Sequence, residues 1–113
     1  MHEMSLAESV VEILQEEARR QAFARVRTVW LEVGALSHCD PEALAFCFDV
    51  VTRGSLAEGA RLEILRTPGQ GWCLACSRPV VVARRGDPCD SCGSYQIQVT
   101  GGDAMRIQEL EVD

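Results

Sequence analysis

Four cysteines dominate the chemistry that this chain can do. Cys73-Leu74-Ala75-Cys76 and Cys89-Asp90-Ser91-Cys92 each place two thiols three positions apart, so that one tight turn aims both sulfurs at a single ion. Residues 77–88 between them are long enough for a short hairpin that brings the two turns together around a tetrahedral metal. Gly93, directly after the second pair, suits the positive-φ turn that lets backbone amides face ligand sulfurs. A structural Zn(II) site on Cys73, Cys76, Cys89 and Cys92 is the expectation. Two disulfides would staple the same segment, but a reducing compartment opposes them. A redox CxxC occurs singly at a helix start in a βαβ pattern, and neither pair sits there. The spacing fits neither of the common ferredoxin patterns. Four thiolates also leave no open position for water or substrate, so the metal would stabilise rather than react.

The second candidate is the N-terminus. The Met1 amine, the His2 backbone nitrogen and the His2 imidazole can close fused five- and six-membered chelate rings, a nitrogen-rich set that suits Ni(II) or Cu(II). Any chain beginning Met-His carries these atoms, so alone the pattern reads as an ordinary terminal residue.

These groups need elements to position them. Ala7, Val10, Val11, Leu14 and Ala18 recur at helical period, and Ser5 with Glu8 has the spacing of a capping box. Residues 25–34 switch to period two, with Val29, Leu31 and Val33 on one face and Thr28, Trp30 and Glu32 on the other. Asp40-Pro41-Glu42 is a helix start, Leu44, Cys47, Phe48 and Val51 its buried stripe, and Gly54 its stop. A short strand follows around Leu62 and Ile64. Thr67-Pro68-Gly69-Gln70-Gly71 reads as a breaker cluster, and Gly101-Gly102-Asp103 as a second. Strands are expected at 80–83 and 96–99, and a last strand at 105–112 whose alternation shifts phase between Ile107 and Leu110. The layout is helix, strand, helix, strand, cysteine insertion, strand: an α+β fold of two helices on a small three-stranded sheet with an inserted zinc-ribbon-like domain. Residues 1–67 plus 104–113 would form the main domain and 68–103 the insertion, which is too small to hold itself by burial and needs a staple.

Composition narrows the function. The chain has 113 residues, 47% hydrophobic and 25% charged, which excludes wholesale disorder. The longest apolar run, Pro79 to Ala83, is far too short for a membrane span, and the first residues form no signal peptide, so the cytoplasm is the expected compartment. A net charge of −6, with every basic residue an arginine, disfavours a general nucleic-acid binder. Arg78, Arg84 and Arg85 in the insertion are interleaved with Asp87 and Asp90 and read as a solvated face. No nucleophile with its base, phosphate loop or open metal site can be assembled, so the chain is not expected to be an enzyme.

Several runs together carry a resemblance: Met1-His2-Glu3-Met4-Ser5-Leu6, Ala45-Phe46-Cys47-Phe48-Asp49, Arg53-Gly54-Ser55 with Ala57-Glu58-Gly59, the paired CxxC units, and Met105-Arg106-Ile107 with Leu110-Glu111-Val112. In order and over the whole chain they resemble the HypA/HybF hydrogenase-maturation nickel metallochaperones. The resemblance implies an α+β nickel-binding domain with an inserted zinc domain. It implies Ni(II) as transferred cargo, bound at the N-terminus by His2 and Met1 with Glu3, and Asp40 as a supporting residue. It also implies delivery to the large subunit of [NiFe] hydrogenase with a nickel-handling GTPase, and in some organisms a link to urease maturation. His38 and Cys39, directly before Asp40, read as an ordinary exposed loop. The rival from another class is a zinc-ribbon adaptor that joins proteins and handles no nickel.

Overall fold

A computed structural model describes residues 2–113. The element order is α1 (Glu3–Gln21), β1 (Val26–Gly34), α2 (Pro41–Val51), β2 (Arg61–Thr67), β3 (Gly69–Cys73), β4 (Arg78–Val82), β5 (Ile97–Gly101) and β6 (Met105–Val112). The strands form two three-stranded sheets, ordered β2-β1-β6 and β4-β3-β5. The fold is α+β, two helices with small sheets and a four-cysteine ribbon. By contacts the chain divides into two compact units: unit 1 holds the residues up to Glu32, Cys39–Leu65 and Arg106–Asp113, and unit 2 holds Val33–His38 and Arg66–Met105.

In unit 1 the apolar stripe of α1 buries Ala7, Val10, Val11 and Leu14, and α1 packs on α2, whose buried residues are Leu44 and Phe48. Ala18 and Cys47, both expected on buried stripes, are half-buried. Strand β1 is central in its sheet, which explains why both its faces are covered: Val29, Leu31 and Val33 are fully buried, and Thr28 on the other face is nearly so. The Thr28 hydroxyl donates to Glu111 Oε1 at 2.7 Å, so its burial leaves no hydroxyl without a partner. Half-burial along edge strand β6 falls at Met105, Ile107 and Leu110, the shift of phase visible in the sequence.

The start of α1 departs from the capping-box expectation. The helix begins two residues earlier than Ser5, with His2 as its N-cap (φ −91°, ψ 100°) and no side-chain capping bond. Ser5 therefore lies inside the first turn, where its carbonyl accepts from Ser9 Oγ at 3.0 Å. Asp40 behaves as the sequence indicates: it is the N-cap of α2, and its carboxylate accepts from Glu42 N–H at 3.0 Å ahead of Pro41 at the first helical position.

Unit 2 contains a strand that the sequence conceals. Gly69-Gln70-Gly71, read as a breaker, is the first half of β3, which pairs antiparallel with β4 (Gly71 opposite Val80, Cys73 opposite Arg78) and with β5 (Cys73 opposite Ile97). The glycines serve close packing rather than a turn. A Cβ on Gly71 would stand 2.6 Å from Ile97 Cγ2, and one on Gly69 would stand 2.6 Å from Leu36 Cγ. Leu36 belongs to the unit 2 core with Cys73, Val80, Val82 and Cys89, and its amide donates to Gly102 O at 2.8 Å.

Gly102 itself has φ +77°, and a Cβ there would run into the Pro68 carbonyl and lie 2.6 Å from Gly69 Cα. Gly86 also has a positive φ (+89°) but open space around it. Gly86→Ala should therefore cost only the left-handed backbone strain, about 1 kcal/mol, whereas Gly102→Ala adds a backbone collision and should cost at least about 3 kcal/mol. Denaturant midpoints of the metal-loaded protein test this; equal losses would contradict the packing argument.

Candidate metal centres

The four cysteines converge. Cys73 ends β3, Cys76 lies in the turn before β4, and Cys89 and Cys92 lie in the loop between β4 and β5. Their sulfurs all lie within 4.8 Å of one another, and they are the group of possible metal ligands that the described residues gather. Cys73 Sγ to Cys92 Sγ is 3.6 Å and Cys76 Sγ to Cys89 Sγ is 3.8 Å. A tetrahedron with zinc–sulfur bonds of about 2.3 Å has edges of about 3.8 Å, so the donor set fits a tetrahedral ion of that size.

Both turns are built alike. In the first, Ser77 N–H donates to Cys73 O at 2.8 Å; in the second, Gly93 N–H donates to Cys89 O at 2.8 Å. Gly93 has the positive φ (+75°) expected for it, and Ser77 takes the equivalent place with φ +53°. A serine gives no hint of left-handed backbone, so only the second turn was legible.

The surrounding groups sort the thiols. Amides of Cys92 and Ser91 donate toward Cys89, overcome the cost of burial and lower its pKa from 9.0 to about 7. Cys76 is pushed up to about 12, first by its hydrogen bond with the Cys73 thiol, then by burial and by Cys89 and Cys92. The Ser94 amide favours the thiolate of Cys92, but the Cys73 thiol and burial outweigh it, and that pKa is raised. Four thiolates cannot stay ionised this close without a cation, and a dication is what the cluster can hold.

The N-terminal candidates stand differently. Met1 lies outside the described residues. His2 is exposed, its imidazole makes no capping bond, and its carbonyl accepts from Leu6 N–H at 3.1 Å. Glu3 and Asp40 are brought together: the Asp40 amide donates to Glu3 Oε2 at 3.4 Å. That link spans 37 positions and no spacing rule could reveal it. His38 is exposed with φ +59°, while Cys39 is buried with its sulfur 3.9 Å from Asp40 O, so the connector is not an exposed loop throughout.

The two parts of Asp40 can be separated. Asp40→Asn keeps a capping oxygen and should leave the melting temperature within a degree or two, whereas Asp40→Ala removes it and should cost about 1 kcal/mol. A loss as large in the Asn variant would show that the charge, not the cap, holds the start of α2.

Comparison with known proteins decides the family. A family model described as hydrogenase/urease nickel incorporation, metallochaperone, hypA matches residues 1–112. The chain belongs to the HypA family. Relatives include hydrogenase maturation factor HypA 2 of Bradyrhizobium diazoefficiens, 58% identical, and HypA of a Bradyrhizobium species, 59% identical, each over the full length of both chains. The solution structure of the Ni metallochaperone HypA from Helicobacter pylori superposes with a TM-score of 0.75 at 26% identity, covering 99% of this chain and 97% of that one. HypA is a family of maturation factors for nickel enzymes, and the α+β fold with its four-cysteine ribbon is the family's own. Among the described residues no helix is long and apolar enough to cross a membrane.

Proposed function

We propose that this chain is a cytoplasmic nickel carrier, not a catalyst. It takes up Ni(II) at its N-terminus and passes it, with a nickel-handling GTPase, to the large subunit of [NiFe] hydrogenase, and where present to urease maturation proteins. Ni(II) is the cargo, held by the Met1 amine and His2 with Glu3, and Asp40 supports the set. Zn(II) on Cys73, Cys76, Cys89 and Cys92 is structural. Residues 1–67 with 104–113 act as the nickel-binding domain and 68–103 as the zinc-binding domain.

The observation that carries the nickel reading is the hydrogen bond from the Asp40 amide to Glu3 Oε2, because it ties the N-terminal segment to the connector. The physics of a helix start explains why two carboxylates belong there. His2 caps α1, so the first amides of the helix project their partial positive charge toward any ion bound beside it. Glu3 and Asp40 offset that field, so the carboxylates and the helix end together leave a moderate affinity. A carrier needs moderate affinity, since an acceptor must compete for the ion, and ligands from one chain end can be exchanged one at a time.

The test is calorimetric titration of zinc-loaded protein with Ni(II) across pH. Imidazoles and α-amines take up protons as pH falls from about 8 to about 6, and only their neutral forms bind metal. Affinity should fall about tenfold or more per pH unit over that window. Binding that is absent, or flat with pH, would leave the zinc-ribbon adaptor as the better account.

A further inference from the structure

We propose that unit 1 carries a docking cleft for an acidic peptide segment of a partner protein, at the end of the sheet where β1 and β2 begin and β6 ends. The cleft has a volume of about 480 Å³ and is lined by Arg25, Arg27 and Arg61 together with Glu58, Glu111 and Asp113. Three of the chain's eleven basic residues thus share one concavity on a protein of net charge −6.

Donors outnumber what the fold uses. Each guanidinium offers five N–H groups. Arg25 spends one on Glu58 O at 3.2 Å, Arg61 one on Glu63 Oε1 at 2.5 Å, and Arg27 meets Asp113 only loosely at 3.7 Å. The carboxylates are better served: Glu58 accepts from Gly54 N–H at 2.7 Å and Glu111 from the Thr28 hydroxyl at 2.7 Å. What remains is a concave surface with unspent, planar, fork-shaped donors, which pair bidentately with carboxylates.

The interleaved acids choose among anions. A phosphoryl group concentrates up to two negative charges and would sit against Glu111 and Asp113. Single carboxylates spaced along an extended peptide can meet the arginines one at a time and avoid those acids. No aromatic side chain lines the cleft, so a nucleobase has nothing to stack on. Charge complementarity therefore commits the site to an acidic peptide.

The probe is an N-acetylated, C-amidated hexaglutamate peptide added at low salt to isotope-labelled, zinc-loaded protein, followed by amide NMR shifts. Shifts should concentrate at residues 25–28 and 58–61. The double variant Arg27→Gln/Arg61→Gln should weaken binding by about tenfold or more, while Arg19→Gln on exposed α1 changes it less than about twofold. Retained amide dispersion would show that the double variant is folded, and its nickel titration should match the parent's. Shifts spread over the surface, or an equal loss in Arg19→Gln, would overturn the proposal. So would tighter binding of inorganic pyrophosphate at the same residues, or self-association that the double variant abolishes, which would give the cleft to a second copy.

Discussion

Cys73→Ala is expected to abolish metal binding at the ribbon and to unfold residues 66–105. The unit 2 core is small: Leu36, Val80 and Val82 are its buried residues apart from ligand cysteines. A core of that size does not offset the entropy of ordering such a segment. Structural zinc in small domains supplies about 10–16 kcal/mol of apparent binding energy at neutral pH, so removing a fully buried ligand forfeits most of what holds the unit. The amides of β3, β4 and β5 should collapse to unfolded shifts, metal content should fall to zero, and those of α1 should keep their dispersion. Native dispersion of unit 2 without metal would refute the stapling argument. Protons give a second readout. With Cys76 near 12 and Cys92 also raised, both thiols are protonated at neutral pH and must give up their protons to a metal. Binding should release at least two protons, and apparent affinity should fall about 100-fold or more per unit of acidification around pH 7. Cys89, lowered to about 7, adds a third proton as pH falls below that value. Calorimetry in buffers of different ionisation enthalpy counts them; release of fewer than two would mean that the cluster is already ionised without metal.

How legible this was depended on how local each cause is. The CxxC turns, the Asp40-Pro41 helix start and the apolar stripe of α1 depend on residues a few positions apart, and all of them stand where the sequence puts them. Strand β3 was hidden because glycine has two uses that look alike in a sequence. At Gly69 and Gly71 it admits Leu36, Val82 and Ile97 at close range, and that demand comes from residues far along the chain. The Ser5–Glu8 pattern satisfied a local rule and lost to a helix that starts earlier, at Glu3. The Glu3–Asp40 hydrogen bond joins the first turns of two helices, and only the packing of α1 on α2 creates it.

That last contact makes the N-terminus testable with little disturbance to the fold. His2→Ala should weaken Ni(II) binding by at least on the order of 100-fold. Loss of groups that merely orient a metal ligand costs 10–100-fold, and the imidazole is proposed as a ligand itself. The side chain is exposed and makes no capping bond, so its removal should change stability by less than about 0.5 kcal/mol and leave ribbon metal content intact. Those two controls separate a lost ligand from a damaged fold. Glu3→Gln keeps an oxygen for the Asp40 amide but removes the charge that offsets the helix end, so it should weaken nickel binding less than His2→Ala while preserving the link between the segments. Nickel affinity unchanged in His2→Ala would move the cargo away from the N-terminus. Equal losses in His2→Ala and Glu3→Gln would make the carboxylate a ligand of the same rank, and the set would then be oxygen-rich, softening its preference for Ni(II) over harder ions.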